Sequence, residues 1–123
     1  MDVLIVDDSS VMRKILTRSL RQSNLDIGEI IEASDGEEAL NKIKENSVQL
    51  VLCDVNMPKL NGLEFVKKVK ENNISPDTKI IMVTSEGGLD TVNQAVENGA
   101  KGFIVKPFSA EDFKKKIEHL CAA

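Results

Sequence analysis

The most regular feature of the sequence is a short apolar run that recurs along the chain. The runs are rich in valine and isoleucine, and apolar and polar residues hardly alternate within them. This pattern is typical of strands in a parallel sheet that is buried on both faces. The predicted strands are VLIV (3–6), a weaker EIIEA (29–33), QLVLC (49–53), KIIMV (79–83) and GFIVK (102–106).

Each predicted strand is followed by a segment with helical spacing, in which apolar residues recur every three or four positions. Polar residues suited to helix ends flank these segments: Ser9 or Ser10, Asp35, Asn61 and Ser109 at the starts, and Asn98-Gly99 at the end of the fourth. The predicted apolar faces are Val11, Met12, Ile15, Leu16 and Leu20; Ala39, Leu40 and Ile43; Leu63, Val66 and Val69; Leu89, Val92 and Val96; and Phe113, Ile117 and Leu120.

Strand and helix therefore alternate five times. This alternation predicts an α/β fold in which a doubly wound, five-stranded parallel sheet is flanked by five helices. No linker, internal repeat or low-complexity segment interrupts the pattern. We expect one domain that covers residues 1–123.

Composition and charge narrow the classes of function. The 123 residues carry a formal net charge of −4, which argues against nucleic-acid binding because that function needs a basic face. No apolar run approaches the roughly 20 residues that span a bilayer, and the acidic N-terminus does not resemble a secretory signal. Two cysteines, Cys53 and Cys121, suggest free thiols in a reducing compartment. We expect a cytoplasmic protein.

Candidate chemistry lies directly after the apolar runs. Ligands of an open parallel sheet bind beyond the carboxyl ends of its strands, where the side chains of several strands converge. Two unit charges about 4 Å apart repel by roughly 4 kcal/mol at an effective dielectric near 20, and Mg²⁺ would relieve such repulsion between carboxylates. A carboxylate nucleophile with a metal, an ammonium and a hydroxyl suits phosphate chemistry. The converging residues are Asp7, Asp8, Asp54, Thr84, Ser85 and Lys106.

Taken singly, these residues have simpler interpretations. Asp8 could cap the first helix, Thr84 and Ser85 could cap the fourth, and Lys106 could be a surface lysine. Independent caps, however, would not explain why the residues converge on one edge of the sheet.

Four stretches, VLIVDDSSVMR, VLCDVNMPKLNGLEF, IIMVTSE and GAKGFIVKPF, occur in this order. Together they resemble the receiver domains of two-component response regulators, particularly the single-domain CheY type. The resemblance covers nearly the whole chain. It implies a flavodoxin-like fold with strand order 2-1-3-4-5.

The resemblance also implies roles for individual residues. Asp54 would accept a phosphoryl group from a histidine kinase. Mg²⁺ would be bound by the carboxylates of Asp8 and Asp54, by Asp7 mainly through a metal-bound water, and by the backbone carbonyl of Asn56. The same comparison implies that Asn56 and Glu86 tune dephosphorylation.

Three further residues would respond to phosphorylation. Lys106 would pair with the phosphoryl group and precede Pro107 through a cis peptide bond, and Thr84 would donate a hydrogen bond to a phosphoryl oxygen. Phe103 stands where the family has a rotating aromatic residue, commonly Tyr. Here the ring lacks the hydroxyl group.

The implied output is protein binding, since the chain ends at Ala123, just past the last predicted helix, with no effector domain after it. A monomer would bind the flagellar motor switch through its fourth helix, fifth strand and fifth helix. The alternative is a phosphorelay intermediate that passes the phosphoryl group to a histidine phosphotransfer protein.

Two other classes of function are weaker. A haloacid-dehalogenase-type phosphohydrolase needs a second Asp two positions after the nucleophile, where this chain has Asn56. A constitutive interaction module would have lost part of the acidic cluster or Lys106. We therefore expect a switch and not an enzyme.

Overall fold

The computed structural model describes residues 1–85 and 89–122. Within these residues the chain forms five strands and five helices in strict alternation. The elements are β1 (Val3–Val6), α1 (Ser10–Gln22), β2 (Ile30–Ala33), α2 (Gly36–Glu45), β3 (Leu50–Asp54), α3 (Gly62–Glu71), β4 (Lys79–Ser85), α4 (Leu89–Glu97), β5 (Gly102–Lys106) and α5 (Ala110–Cys121).

The five strands form one parallel sheet in the order β2-β1-β3-β4-β5, as predicted. The order reverses between β1 and β3, so the connections after these two strands leave in opposite directions. Ligands of open α/β sheets bind in the crevice at such a reversal. The carboxyl ends of β1 and β3 are therefore where the fold creates a site.

Successive residues of each strand face opposite sides of the sheet, and each side has its own core. Helices α1 and α5 cover one face, where Leu16 and Phe113 are buried. Helices α2, α3 and α4 cover the other face, where Ile43, Phe65 and Ala95 are buried. A sheet covered on both faces explains why the strands have nearly continuous apolar sequences.

Side chains cap the predicted helix starts. Ser9 and not Ser10 caps α1, because its hydroxyl accepts a hydrogen bond from the Met12 N–H. Asp35 and Ser109 cap α2 and α5 in the same way, and Asn61 forms a reciprocal capping box with Glu64 at α3.

The predicted apolar faces are wrong at several positions. Val11 and Ile15 of α1 and Val96 of α4 are exposed, at 65%, 42% and 43% respectively. Helix α1 packs on the sheet through a narrower stripe in which Leu16 and Leu20 are buried and Met12 is partly buried. Phe65, absent from the predicted face of α3, is completely buried. The side chains of Leu89 and Val92 lie outside the described residues.

Strand β4 is longer than predicted. Thr84 and Ser85 belong to the strand instead of following it, because parallel pairing with β5 continues through Ser85 and Lys106. Neither residue therefore caps α4. Asp54 likewise ends β3 as its last residue and pairs with Val83.

Candidate functional site

Two adjacent aspartates follow β1, and they lie in different environments. The Asp7 side chain is almost fully buried, and its Oδ1 atom accepts a hydrogen bond of 2.9 Å from the Ser9 N–H. Asp8 is exposed. Because Ser9 caps α1, the interpretation of Asp8 as a helix cap is wrong.

Asp54 is held where β3 meets the loop that leads to α3. The first residue of this helix, Gly62, donates its N–H to the Val55 carbonyl oxygen over 2.8 Å. A Cβ atom at Gly62 would lie only 2.1 Å from the Asp54 carbonyl oxygen. Only glycine therefore allows α3 to begin so close to Asp54. Gly62 follows the predicted cap Asn61 in the sequence, and nothing in this spacing indicates its close approach to the Asp54 carbonyl oxygen.

Lys106 at the end of β5 reaches the carboxylates of two other strands. Its Nζ atom lies 3.2 Å from Oδ2 of Asp7 and 3.5 Å from Oδ1 of Asp54. The Lys106 side chain is only 19% exposed, so it is not a surface lysine. Its peptide bond to Pro107 is cis.

The cluster carries more negative than positive charge. Asp7, Asp8 and Asp54 each present a carboxylate oxygen within 4.8 Å of the others, and Lys106 is the cation paired with two of them. Burial raises the pKa of the Asp54 carboxyl group. The Lys106 ammonium lowers this pKa in part, and the Asp7 carboxylate raises it further. Burial therefore makes the ionised form of Asp54 more costly than it is in water, and a nearby cation offsets part of that cost.

The donors fit a hard divalent cation. All three side chains offer oxygen, the ligand that Mg²⁺ prefers, and one of them faces solvent. The Asp8 carboxylate has no hydrogen-bond or ion-pair partner among residues 1–85 and 89–122 and is free to bind such a cation. A bound cation would also offset the charge that raises the pKa of Asp54.

The remaining predicted residues lie around this cluster. Asn56 is exposed in the loop after β3. Thr84 is buried one position beyond Val83, the β4 partner of Asp54, and its hydroxyl donates to the Ser85 carbonyl oxygen over 3.1 Å. Glu86 lies outside the described residues.

Phe103 lies in β5, the strand that ends with Lys106. It pairs with Met82 in the sheet and is partly buried against the core beneath α2, α3 and α4. The Lys116 ammonium of α5 lies 5.2 Å from the centre of the Phe103 ring, within the range of a cation–π interaction.

Sequence reasoning also missed Arg13. Its Nη1 atom donates to the Asp7 carbonyl oxygen over 2.6 Å, and its Nε atom contacts Glu32. Nothing in the spacing of Arg13 distinguishes it from the other basic residues of α1, because its partners belong to other parts of the chain.

Comparisons with known proteins identify the family of this chain. The response regulator receiver domain family matches residues 3–118. A chemotaxis protein CheY homolog of Campylobacter jejuni is 43% identical over 96% of this chain and 90% of its own length. Chemotaxis protein CheY1 of Helicobacter pylori strain 26695 is 41% identical over 96% of this chain and 94% of its own length.

Solved structures show the same fold. The chemotaxis response regulator CheY4 of Vibrio cholerae is 34% identical, with a TM-score of 0.84 over 97% of both chains. The receiver domain of NtrX from Brucella abortus is 27% identical, with a TM-score of 0.86 over 99% of both chains. The family match over most of the chain, together with these relatives, establishes that this chain belongs to the response regulator receiver domains.

Proposed function

We propose that this chain is a response regulator switched by phosphorylation of Asp54. The observation that carries the proposal is the cluster at the carboxyl ends of β1, β3 and β5. There the Asp54 carboxylate lies 3.5 Å from the Lys106 ammonium and close to the carboxylates of Asp7 and Asp8. The phosphoryl donor would be a histidine kinase.

In the transfer step, an oxygen of Asp54 attacks the phosphorus of a phosphohistidine. The new P–O bond forms as the P–N bond breaks, and the leaving imidazole takes up a proton. Lys106 would offset negative charge on the phosphoryl oxygens. Thr84 would turn its hydroxyl from the Ser85 carbonyl to a phosphoryl oxygen, and the space that it leaves would allow the Phe103 ring to move.

Mg²⁺ is the cofactor that the donors fit. The carboxylates of Asp8 and Asp54 and the backbone carbonyl of Asn56 would hold it, with Asp7 acting through a metal-bound water. When bound, the cation supplies positive charge for the phosphoryl oxygens. The Asp7 carboxylate lies 3.2 Å from the Lys106 ammonium, and this contact keeps Lys106 beside Asp54.

The product would be a signal and not a released metabolite, so we propose a switch rather than an enzyme. Slow self-dephosphorylation, tuned by Asn56 and Glu86, would end the signal. Helices that could cross a bilayer are absent from the described part of the chain. We propose that residues 1–123 form one receiver domain that acts as a cytoplasmic monomer and binds neither nucleic acid nor membrane.

The chemistry is tested by intact mass after incubation with acetyl phosphate. We expect a phosphoryl adduct on the wild type with Mg²⁺, little adduct in chelator, and none on Asp54→Asn. Asp77→Asn, which changes an exposed aspartate, serves as the matched control and should be phosphorylated normally. A wild-type chain that acquires no adduct under any condition would contradict the proposal.

The proposed output is binding to the flagellar motor switch, which is supported by the two relatives described as chemotaxis proteins. We expect the phosphorylated chain to bind a purified flagellar switch protein more tightly than the unmodified chain does. Transfer of the phosphoryl group to a histidine phosphotransfer protein, without binding to the switch protein, would instead support the phosphorelay alternative.

A further inference from the structure

Arg13 joins the turn after β1 to the edge strand β2. Its Nη1 atom donates to the Asp7 carbonyl oxygen over 2.6 Å, and its Nε atom lies 2.9 Å from Oε1 of Glu32. The Arg13 side chain is only 18% exposed. The planar guanidinium is thereby held at two points by groups from different parts of the fold.

The Asp7 contact completes a set of restraints on that residue. Its N–H donates to the Ala33 carbonyl oxygen over 3.1 Å, and its two carboxylate oxygens contact the Ser9 N–H and the Lys106 ammonium. The carbonyl oxygen is the remaining polar atom of Asp7, and Arg13 binds it. Asp7 is therefore fixed at every polar atom.

Asp8 has none of these restraints. Its side chain is exposed, and its carboxylate has no partner among the described residues. The direction of this carboxylate consequently depends on the backbone from which it projects. That backbone begins with the peptide group between Asp7 and Asp8, whose oxygen atom is the one bound by Arg13.

We infer that Arg13 is a positioning residue for the divalent cation. By holding the Asp7 carbonyl oxygen, it sets the plane of the Asp7–Asp8 peptide and so aims the Asp8 carboxylate at the cluster. The inference rests on the proposed function, because it requires a cation at Asp7, Asp8 and Asp54. Residues that orient metal ligands typically change metal affinity by about 10- to 100-fold when they are replaced.

Electrostatics alone predicts the opposite effect. A guanidinium beside a cation site repels a divalent ion, so removing it would strengthen binding of that ion. Positioning predicts that removing Arg13 weakens binding. The sign of the change therefore distinguishes the two effects.

The test is a Mg²⁺ titration followed by amide chemical shifts. We expect Arg13→Met to raise the Mg²⁺ dissociation constant about tenfold, near the lower end for such residues because Arg13 acts through the backbone. Arg13→Lys keeps the charge and a single donor nitrogen but loses the planar two-point contact, so we expect an intermediate dissociation constant. Arg18→Met, which removes the same charge from an exposed position of α1, should bind Mg²⁺ as the wild type does.

Melting temperatures in chelator separate positioning from general stability. If Arg13 were merely structural, Arg13→Met would melt earlier but bind Mg²⁺ with an unchanged dissociation constant, and the inference would be overturned. If Arg13→Met bound Mg²⁺ as tightly as the wild type or more tightly, the inference would be overturned. The proposed function would remain intact in that case, because the wild type would still bind Mg²⁺. A wild type without Mg²⁺ binding would overturn both. Should Arg13→Met not fold, a wild-type dissociation constant for Arg13→Lys would overturn the inference.

Discussion

Asp7 and Asp8 are adjacent in sequence, but the carboxylate of Asp7 is buried and that of Asp8 is exposed. The buried Asp7 carboxylate is satisfied by the Ser9 N–H and by Lys106, which offsets the cost of removing its charge from water. The Asp8 carboxylate faces solvent, where water hydrates it in the absence of a cation. The pair therefore combines one residue that organises the site with one that is available to a ligand.

Asp54→Asn should stabilise the metal-free protein. The substitution removes a carboxylate that is partly desolvated and close to two others. We expect the melting temperature in chelator to rise by a few degrees, since about 1 kcal/mol shifts it by roughly 4 °C for a domain of this size. Asp77→Asn should have the same melting temperature as the wild type. Identical melting curves for Asp54→Asn and the wild type would contradict this expectation.

The gain from Asp54→Asn should depend on pH. Burial raises the pKa of Asp54 in the folded protein above its value in the unfolded chain. At pH values between these two pKa values, the folded protein therefore binds more protons than the unfolded chain does. Stability from this group is complete below the unfolded pKa and is lost as pH rises through the folded pKa. The difference in melting temperature between Asp54→Asn and the wild type in chelator should therefore grow from acidic to neutral pH. Melting curves across that pH range would measure it. A constant difference would exclude Asp54 titration as the cause.

Asp8→Asn should separate metal binding from folding. Because the Asp8 carboxylate has no protein partner in the described residues, we expect its loss to leave the chelator melting temperature unchanged or slightly higher. A ligand at about 100 times its dissociation constant stabilises the folded protein by about 2.7 kcal/mol. Asp8→Asn should lose most of the stabilisation that Mg²⁺ gives the wild type. Differential scanning calorimetry with and without Mg²⁺ tests this. A full Mg²⁺ response in the variant would remove Asp8 from the ligand set.

At the scale of elements, helix α3 is placed by its contact with the end of β3. Gly62 approaches the Asp54 carbonyl oxygen so closely that no side chain fits between them. The Asn61–Glu64 capping box fixes where α3 starts, while Gly62 permits the distance at which it packs. The position of Asp54 thus depends on a residue that provides no functional group.

Gly62→Ala should damage both stability and phosphorylation. Its Cβ would meet backbone 2.1 Å away, so the helix must shift, and we expect a loss of about 2–4 kcal/mol in the free energy of unfolding. Urea unfolding and the acetyl phosphate reaction would measure the two effects.

Gly102→Ala is the matched control for Gly62→Ala. Its nearest contact, at 2.8 Å, is the flexible end of Leu120, which can move away, so the loss should be smaller and the reaction rate near normal. Equal losses for the two variants would show that packing of α3 against Asp54 is not special.

At the scale of the whole molecule, Lys106 connects strands that are not neighbours. It extends from the edge strand β5 past β4 to the carboxylates of β1 and β3. Phosphorylation of Asp54 would therefore change the partners of a residue on the same strand as Phe103. Under the proposed function, this arrangement would connect the site to β5 and, through the contact between Phe103 and Lys116, to α5.

Lys106→Met should destabilise the metal-free protein by about 3 kcal/mol, the lower end for a buried ion pair that loses one partner, because it leaves two buried carboxylates without their cation. Mg²⁺ should recover part of the loss by supplying positive charge. Urea unfolding in chelator and in Mg²⁺ measures both effects. Lys115→Met, which breaks an exposed pair with Glu111, should cost little under either condition. Equal stability of Lys106→Met and the wild type in chelator would contradict the role of Lys106.

Most of the fold could be predicted from local patterns. Continuous apolar runs identified the strands, polar caps identified the helix starts, and the rule that parallel strands end together brought Asp7, Asp54 and Lys106 to one edge. Exposure was harder to predict. Val11 and Ile15 belong to an apolar pattern, but whether such a face is buried depends on how far the neighbouring elements extend.

By itself, the sequence determined the order of the elements, the parallel sheet and the acidic residues at its edge, because these depend on interactions within short segments and on a general property of parallel sheets. Only the tertiary structure decided that Arg13 holds the Asp7 carbonyl and that Gly62 contacts Asp54. Both contacts depend on the distances and angles at which separate elements pack. Those quantities follow from the filling of the whole core, to which residues throughout the chain contribute.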